Sequence, residues 1–484
     1  MPSKIAVVIL AATLLASGST VGDNSIPSIV FVGDILLARA VDREIQVRKT
    51  SPWVNITGGL QAATHLIGNF EGAVGTADQC ENTSNHSACF AVKQEYLPFI
   101  AQAGFTALGI ENNHSADLGA DGKRASQETL AQHRVRTLTF KESPWFFTLG
   151  QNVVGVIAYN EIAAGESEVV LIPDVGLGQK IKLARQLANM VVVYVHWGNE
   201  LQDWPSEQQR KHARWLVTQG ADMVIGHHPH VLQGQECIDG HPVVYSLGNH
   251  VFDQKYPMTK TGHALKCTFE SAHPSCGFLQ TVTPAHTSFP ASILEDATAH
   301  KFWKSCQPRM RPFPILAGTT IRPQSDVPIS SLENAKLEFH NAKSEFSLPA
   351  PGLLHITPVQ FGPKEQDKLL LTIEMRYSPL DKATAPRPYV YSIGNRGLNA
   401  KWRGSALAWP LLDITVLRED GIDYLCALHR GDSFLVPDPE TPARRVLVYR
   451  WNNFGFSAFD SKRLNADCEY SFRSFLPEAA DQGT

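Results

Sequence analysis

Along its first half, the chain alternates short apolar runs with longer segments in which apolar residues recur every three or four positions. Short runs are typical of buried strands and the longer period is typical of amphipathic helices, so residues 27–255 are predicted to form a layered α/β domain. The predicted strands are Ile29–Val32, Leu66–Ile67, Phe105–Ile110, Val153–Ala158, Met190–Val195, Met223–Ile225 and Val243–Leu247. The predicted helices are Leu36–Val47, Gln94–Ala103, Ala120–Gln132, Leu177–Ala188 and Ser206–Gln219.

The second half of the chain is patterned differently. Residues 256–345 are rich in Pro, Ser, Thr and His and show little periodicity, which indicates a loop-rich insert or linker. Short β-like runs separated by Pro, Gly and Asp turns return in residues 346–484, and we interpret that region as a smaller β-rich C-terminal extension. Its predicted strands are Leu369–Met375, Leu411–Leu417 and Val446–Trp451.

The N-terminus has the pattern of a secretory signal peptide over residues 1–22. Lys4 precedes the apolar run Ile5–Ala16, and small residues from Ser17 onwards provide a cleavage zone. An uncleaved membrane anchor is the alternative, although the run is short for a bilayer. We therefore expect a secreted or extracytoplasmic protein, with at most an N-terminal membrane anchor.

Composition narrows the class of protein. The 484 residues carry 43 Lys+Arg against 47 Asp+Glu, and 43% of them are hydrophobic. These values exclude a disordered chain and a polybasic nucleic-acid binder. The eight cysteines are expected to meet oxidising conditions after secretion, where disulfide bonds can form. Two cysteine pairs are each close enough to close a local loop, namely Cys80 with Cys89 and Cys267 with Cys276.

Polar side chains of the kinds that bind metals follow five predicted strands at their carboxyl ends. Open α/β sheets bind ligands at this end of their strands. A mixture of carboxylate, amide and imidazole without thiolate suits Mn, Fe or Zn. Two such ions would lower the pKa of a bound water and hold the oxygens of an in-line displacement. The residues are Asp34, Glu71, Asn113, His114, His196, His227, His228 and His230.

Each of these residues also has a simpler explanation when it is taken alone. Asp34 precedes a predicted helix and could be its N-cap, which is the commoner role of such an Asp. A single His at a strand end is usually a hydrogen-bonded polar residue, and His227–His230 could be a surface cluster. The coincidence on five of the predicted strands favours the metal site.

Six motifs in order carry a resemblance to a known family. They are FVGDILLAR from Phe31, GNFEG from Gly68, NNH from Asn112, HWGNE from His196, GHHPH from Gly226 and YSLGN from Tyr245. Together they resemble the CapA family of capsule poly-γ-glutamate synthesis proteins, within the calcineurin-like metallophosphoesterase superfamily. The resemblance covers residues 27–255.

This resemblance implies a four-layer α/β fold, a metallophosphoesterase-like β-sandwich flanked by helices, with a dinuclear metal site. It implies His114 as the acid or transition-state hydrogen-bond donor and leaves His227 without a role. Glu71 stands where the superfamily usually has a bridging Asp, and no His stands two residues after Asp34. The implied metal ligands are Asp34, Glu71, Asn113, His196, His228 and His230.

Four neighbouring residues have open roles. Arg39 could contact an anionic substrate or be a solvated helix residue. Glu111 is either an extra carboxylate near the metals or a structural acceptor. Glu200 could orient His196. His250 stands where the family usually has Phe and could be a hydrogen-bond partner of a metal ligand.

Two function classes are compatible with the sequence. The first is an extracytoplasmic metal-dependent hydrolase, which would act on phosphoesters or on γ-glutamyl amide bonds of a capsule-type polymer with two divalent ions, Mn, Fe or Zn. The second is a non-catalytic accessory protein that binds the polymer during its synthesis or export. The expected partners are an anionic polymer or phosphoester substrate and the polymer-synthesis machinery, without nucleic acid.

Overall fold

The structure is a computed structural model that describes most of the chain after residue 25. The predicted signal peptide therefore lies outside the described residues. The described residues are 26–80, 89–270, 274–313, 315–316, 319–323, 336–340, 345–364, 366, 368–378, 383–394, 397–404, 407, 410–430 and 444–476.

Strands dominate the described residues, and the helices fall mainly between the strands of the first half. The strands are β1 Ser28–Ile35, β2 His65–Phe70, β3 Ala73–Val74, β4 Ala91–Val92, β5 Ala107–Gly109, β6 Arg136–Leu138, β7 Trp145–Leu149, β8 Asn152–Asn160, β9 Met190–His196, β10 Met223–His227, β11 Leu232–Ile238, β12 His241–Leu247, β13 Asn249–Val251, β14 Thr261–Thr268, β15 Ser275–Val282, β16 Ser292–Glu295, β17 Ile315–Leu316, β18 Thr319–Pro323, β19 Lys336–His340, β20 Glu345–Pro349, β21 Leu353–Gln360, β22 Lys368–Ser378, β23 Ala383–Gly394, β24 Gly397–Arg403, β25 Leu411–Glu419, β26 Ile422–Arg430, β27 Arg444–Trp451 and β28 Phe456–Ala458. The α-helices are α1 Arg39–Arg48, α2 Thr57–Leu60, α3 Ala77–Cys80, α4 Leu97–Gln102, α5 Gly119–Gln132, α6 Val175–Leu187, α7 Glu207–Gln219, α8 His300–Ser305 and α9 Lys462–Phe472.

Two large sheets form the first half of the molecule. The first sheet has the order β16-β15-β14-β1-β2-β5-β6, with β13 paired to β1 outside this path. The second has the order β11-β12-β10-β9-β8-β7. Strands β1, β2, β5 and β6 are parallel, as are β8, β9, β10 and β12. Parallel neighbours need crossover connections, and the helices α5, α6 and α7 lie in such connections.

A shared hydrophobic core lies between the two large sheets, and further cores cover their other faces. Strand β1 illustrates the division, since Ile29 and Phe31 enter the shared core while Val30 and Val32 face the cluster containing α1 and α4. Successive strand residues point to opposite faces, so a strand buried on both faces reads as a continuous apolar run. On the second sheet, α6 and α7 cover the face away from the shared core. The molecule is a mixed α/β protein with several sheets.

Three four-stranded antiparallel sheets follow, formed by β17–β20, β21–β24 and β25–β28. Helix α6 joins them to the second large sheet. Its residues Leu183 and Leu187 pack in one cluster with Leu353 and Ile356 of β21. This side of α6 is therefore buried by the later sheets, while Ile181 packs against the earlier one.

Residues after 255 contain more regular structure than the sequence pattern indicates. Strands β14, β15 and β16 lie in the region expected to be loop-rich, and they extend the first large sheet next to β1. Their partly exposed faces carry polar residues such as Lys266 and Gln280, which interrupt the apolar pattern.

Helix α1 begins at Arg39 rather than at the predicted Leu36. Asp34 lies within β1 and is not an N-cap of that helix.

All eight cysteines form disulfide bonds. The two local pairs are the ones whose spacing permits a small loop, and the other two bridge 69 and 42 positions of sequence. No helix within the described ranges combines the length and the apolar character needed to cross a membrane. The bonds are Cys80–Cys89, Cys237–Cys306, Cys267–Cys276 and Cys426–Cys468.

Candidate metal centre

The polar residues singled out in the sequence meet where strands of the two large sheets end. Asp34 lies near the end of β1, Glu71 follows β2, and His196 ends β9. His227 ends β10, and the next residues carry His228 and His230. Parallel strands place their carboxyl ends on the same side of a sheet, so the topology gathers these side chains into one cluster.

Three of these residues form what we call the buried ligand group, Asp34, Glu71 and His196. Each offers a ligand-type atom within 4.8 Å of the others, and all three are buried. Asn69 holds the group together, because its Nδ2 lies 2.8 Å from Asp34 Oδ1, 3.1 Å from Glu71 Oε1 and 3.2 Å from His196 Nδ1. The three side chains are thus held in place by hydrogen bonds to one amide, that of Asn69.

The asparagine pair after β5 approaches the same group. Asn113 Oδ1 lies 2.7 Å from His196 Nε2, which brings the predicted amide ligand to the buried ligand group. Asn112 supports the turn, since its Nδ2 donates to the Phe70 carbonyl at 2.8 Å and its Oδ1 accepts from the backbone N of His114 at 3.1 Å. Asn113 thus contacts the buried ligand group, whereas Asn112 stabilises the loop that carries both asparagines.

A second set, the outer ligand group, consists of Glu200, His228 and His230. Their ligand-type atoms also lie within 4.8 Å of one another. His230 links the two groups, because its Nδ1 is 3.2 Å from Asp34 Oδ2 and 2.9 Å from Asn249 Oδ1. His228 and His230 have φ angles of 98° and 59°, a left-handed conformation that costs energy in residues other than glycine. Such strain is common where a loop is held for function.

The two carboxylates of the buried ligand group have opposite pKa shifts. Burial alone would raise the pKa of Asp34, but contacts with His227 and His230 outweigh burial and hold that pKa well below its usual range. Burial and the nearby charge of Asp34 raise the pKa of Glu71 well above its usual range. The ionised form of Asp34 therefore disfavours ionisation of Glu71. A cation bound between the two carboxylates would stabilise both in their ionised forms.

The imidazoles of the cluster favour their neutral, ligating forms. Burial and the neighbouring His228 lower the pKa of His196 well below its usual value. Burial and His230 lower the pKa of His228 to about 3. Neutral imidazole is the form that binds metals.

The cluster also passes a direct test of its fitness for a cation. Among the described residues, Glu71 Oε2 accepts no hydrogen bond and His228 Nδ1 has no hydrogen-bond partner, although both atoms are buried. Unpaired buried polar atoms are costly unless a ligand engages them. Carboxylate, amide and imidazole donors together suit a divalent transition metal, so the residues present fit the implied ions.

His114 lies beside the cluster in a hydrogen-bonded pair. Its Nδ1 is 2.9 Å from Asp117 Oδ2, and the same oxygen accepts from the backbone N of Phe90 at 2.7 Å. The Phe90 ring stacks on the imidazole with centroids 3.7 Å apart. The ring of His114 is thus held by a carboxylate at Nδ1 and by an aromatic face, and neither contact involves Nε2.

Arg39 also packs against Phe90, the ring that stacks on His114. Its guanidinium carbon is 4.9 Å from the Phe90 ring centroid, and its Nε donates to Asp253 Oδ2 at 3.0 Å. The side chain is 40% exposed, so it combines an anchored position with access to solvent. Arg39 also has a φ of 58°, a conformation rare for a residue with a side chain.

Two residues with open roles face away from the cluster. Glu111 accepts two hydrogen bonds of 3.0 Å from Lys123 Nζ and one of 3.1 Å from the backbone N of Phe140. This is the arrangement of a structural acceptor. His250 packs against Trp53 and Phe105, because alternation along β13 points Asn249 towards His230 and His250 the other way. Burial lowers the pKa of His250 to about 3.

Several neighbours of the cluster are not among the residues predicted from the sequence. Asn69, Asn112 and Asn249 fall inside the quoted motifs, so buried amides within a ligand motif were an available signal. His227 Nδ1 lies 3.4 Å from Asp34 Oδ1, although the resemblance gives it no role. Phe90 comes from a distant segment, and no sequence signal points to it.

The chain is similar to known bacterial capsule synthesis proteins. The family model described as "Bacterial capsule synthesis protein PGA_cap" matches residues 28–254. The "Capsule biosynthesis protein CapA" of Bacillus anthracis is 32% identical over 284 residues, which are 53% of this chain and 68% of that protein. The "PGA biosynthesis protein CapA" of Bacillus subtilis (strain 168) is 26% identical over 296 residues, 57% of this chain and 77% of that protein.

Two solved structures show a distant likeness to this chain. A hypothetical protein from Thermus thermophilus has a TM-score of 0.35 at 14% identity, over 53% of this chain and 100% of that one. A structure described as a novel phosphatase, from Mycoplasma pneumoniae, has a TM-score of 0.34 at 12% identity, over 57% of this chain and 96% of that one. At these TM-scores neither structure supports a conclusion about fold or function.

Proposed function

Because the chain belongs to the PGA_cap family of bacterial capsule synthesis proteins, we propose that it is a metal-dependent hydrolase that acts on an anionic capsule-type polymer. The proposed polymer is poly-γ-glutamate, cleaved or processed at its amide bonds, and phosphoesters are the alternative substrate class. The observation that carries the proposal is the convergence of the buried and outer ligand groups at the strand ends, with His114 alongside.

In this proposal the chain's own side chains hold two divalent ions, Mn, Fe or Zn. Bound ions of this kind polarise an ester or amide oxygen and lower the pKa of water. The proposed ligands are Asp34, Glu71, Asn113, His196, His228 and His230.

His114 would transfer the proton that hydrolysis requires. Hydrolysis breaks the bond to a leaving nitrogen or oxygen, and that atom needs a proton as it departs. Asp117 orients the ring through Nδ1, so Nε2 is the nitrogen that would donate this proton. Arg39, anchored by Asp253 and exposed, would bind an anionic group of the substrate.

The same proposal covers architecture and location. The two large sheets, the core between them and the helices outside support a four-layer sandwich of the metallophosphoesterase type for residues 27–255, extended by β14–β16. Residues 346–484 would be a smaller β-rich extension. Four disulfide bonds support secretion, because such bonds persist in oxidising compartments.

Metal analysis combined with activity assays tests the proposal. The purified protein should contain divalent metal and hydrolyse poly-γ-glutamate, a phosphodiester or a phosphomonoester only when Mn, Fe or Zn is present. Asp34→Ala and His228→Ala should lower both metal content and activity, by about 100-fold or more in activity, because each removes a proposed ligand. Arg39→Met should raise KM for the anionic substrate and leave metal content unchanged.

Asp121→Ala is the matched control, because Asp121 is a highly exposed carboxylate on α5. It should keep the metal content and activity of the wild type. A wild-type protein that holds no metal and shows no metal-dependent activity would contradict the proposal. Bound metal without turnover of any of these substrates would instead favour the non-catalytic polymer-binding role.

A further inference from the structure

Glu200 belongs by position to the metal centre, although the sequence suggested only that it orients His196. A ligand-type atom of Glu200 lies within 4.8 Å of such atoms of both His228 and His230, and the Glu200 side chain is exposed. We propose that Glu200 is a direct metal ligand, which together with His228 and His230 forms a separate ion position on the solvent side of the centre. This inference rests on the proposed function, since it assigns one of the two ions proposed there.

The loop that carries Glu200 is fastened to the loop that carries the histidines. The backbone N of Trp197 donates to the carbonyl of His227 at 3.1 Å, and the backbone N of Leu201 donates to the carbonyl of Pro229 at 2.9 Å. Glu200 lies between these two anchor points. Its side chain is exposed to solvent, whereas its backbone is held beside the imidazoles by the two hydrogen bonds.

The far end of the same loop is also fixed. Gln233 on β11 donates through Nε2 to the carbonyl of Gln202 at 2.9 Å and to that of Trp204 at 3.2 Å. Gln209 in turn donates to Gln233 Oε1 at 2.9 Å, and it is part of the capping box that begins α7. Leu201 has a φ of 60°, which a leucine adopts only where its surroundings enforce it. A loop tied at both ends and strained between them is suited to presenting one side chain.

The histidine side of this position supplies an independent observation. His228 is only 6% exposed, and its Nδ1 has no hydrogen-bond partner within the described part of the chain. A buried polar atom left without a partner costs about 1–3 kcal/mol. A cation bound at Nδ1 of this imidazole, and held also by His230 and the Glu200 carboxylate, would remove that cost.

The chemistry of the outer ligand group specifies the class of ion. Two imidazoles and one carboxylate form the donor set of catalytic zinc sites with an open position, and the same set also binds Fe²⁺ or Mn²⁺. Glu200 is exposed while the buried ligand group is enclosed, so the outer ion should exchange with solvent more readily. The two ion positions are then expected to differ in affinity.

Titration of the metal-free protein with Mn²⁺ alone tests the assignment without any activity assay. Calorimetry and metal analysis should find two bound ions in the wild type. Glu200→Gln should retain one tightly bound ion and bind the other about 100-fold more weakly or worse, because it removes a charged ligand. Electron paramagnetic resonance should show a coupled Mn²⁺ pair in the wild type and an isolated ion in the variant.

Control variants separate loss of a ligand from loss of folding. Asp203→Asn changes an exposed carboxylate of the same loop and should keep two ions. Without metal, Glu200→Gln should unfold at the wild-type temperature, since the side chain is exposed. The double variant Glu200→Gln, His228→Ala should lose the same single ion as either change alone.

The outcomes distinguish this inference from the proposed function. If Glu200→Gln binds two Mn²⁺ ions with wild-type affinities, the Glu200 assignment is overturned and the proposed metal centre stands. Loss of both ions in the double variant would also overturn it, since the two residues would then hold different ions. If the wild type binds no Mn²⁺, the inference and the proposed function fail together.

Discussion

His114 is the residue whose surroundings say most about what it can do. Asp117 engages Nδ1, Phe90 stacks on the ring, and Arg39 lies beyond Phe90. The contacts with Asp117 and Phe90 fix the orientation of the imidazole, and neither of them uses Nε2. A ring with a carboxylate at Nδ1 and a free Nε2 suits metal binding as well as proton transfer. We propose proton transfer because His114 belongs to neither the buried nor the outer ligand group.

The proposed proton-transfer role makes a prediction that separates it from ligation. His114→Ala should lower kcat by about 100- to 10,000-fold and leave the metal content at the wild-type value. Asp117→Asn should have a smaller effect, about 10- to 100-fold, because the ring remains but is less well oriented. Kinetics and metal analysis of both variants check this. A His114→Ala protein that loses metal would show that His114 is a ligand.

At the residue scale, the spatial convergence of the cluster was predictable because its members lie at strand ends. Asp34, Glu71 and His196 meet although they are far apart in the chain, and the strand pattern alone indicated that meeting. The orientation of side chains was harder to predict. His250 and Asn249 are adjacent in sequence, and only the pairing of β13 with β1 decides which of them faces the cluster.

Among the elements, helix α6 is buried on two sides by different sheets. It packs on the second large sheet on one side and on β21 on the other. His355 lies buried at this second contact, with Gln186 Nε2 3.0 Å from its ring nitrogens. Burial and the charge of Lys182 lower the pKa of His355 to about 3.

This shift predicts how the contact responds to acid. The pKa of His355 is lower in the folded protein than its ordinary 6.5, so the unfolded chain takes up the proton first as pH falls. The stability that neutral His355 provides is therefore complete above pH 6.5 and is lost between about pH 6.5 and pH 3, at up to about 1.4 kcal/mol per pH unit.

Urea unfolding of the wild type and His355→Gln at pH 7, 6 and 5 measures this effect. The variant does not titrate at this position, so the wild type should lose stability relative to it as the pH falls. A difference between the two proteins that stays constant with pH would contradict the assignment of His355 as the titrating group.

Elements were predictable where both faces of a strand are buried. Strands β1, β8 and β9 read as apolar runs because sheets and helices cover them on both sides. Strands β14 and β15 were not recognised, since their partly exposed positions carry Lys, Thr and Gln. Their pairing with β1 is a long-range contact that local patterns do not report.

For the whole molecule, the disulfide bonds differ in how much chain they close. Cys237–Cys306 bridges 69 positions and joins β11 to the end of α8, whereas Cys80–Cys89 bridges 9. In the loop-closure model, a longer loop removes more entropy from the unfolded chain.

Paired Cys→Ser variants test that difference. Cys237→Ser with Cys306→Ser should lower the free energy of unfolding by about 4 kcal/mol, and Cys80→Ser with Cys89→Ser by about 2.5 kcal/mol. Denaturant unfolding under non-reducing conditions measures both. Equal losses would indicate that local packing, rather than loop closure, determines what each bond contributes.

The first large sheet has a consequence for any attempt to isolate the part of the chain that the family model matches. The family match ends at residue 254, but β1 pairs with β14 from Ser28 to Val32. A chain shortened to that length would turn an interior apolar strand into an open edge strand, a template for pairing with other copies. Such a fragment is expected to aggregate even though it keeps every proposed ligand, because the family match ends inside a hydrogen-bonded sheet.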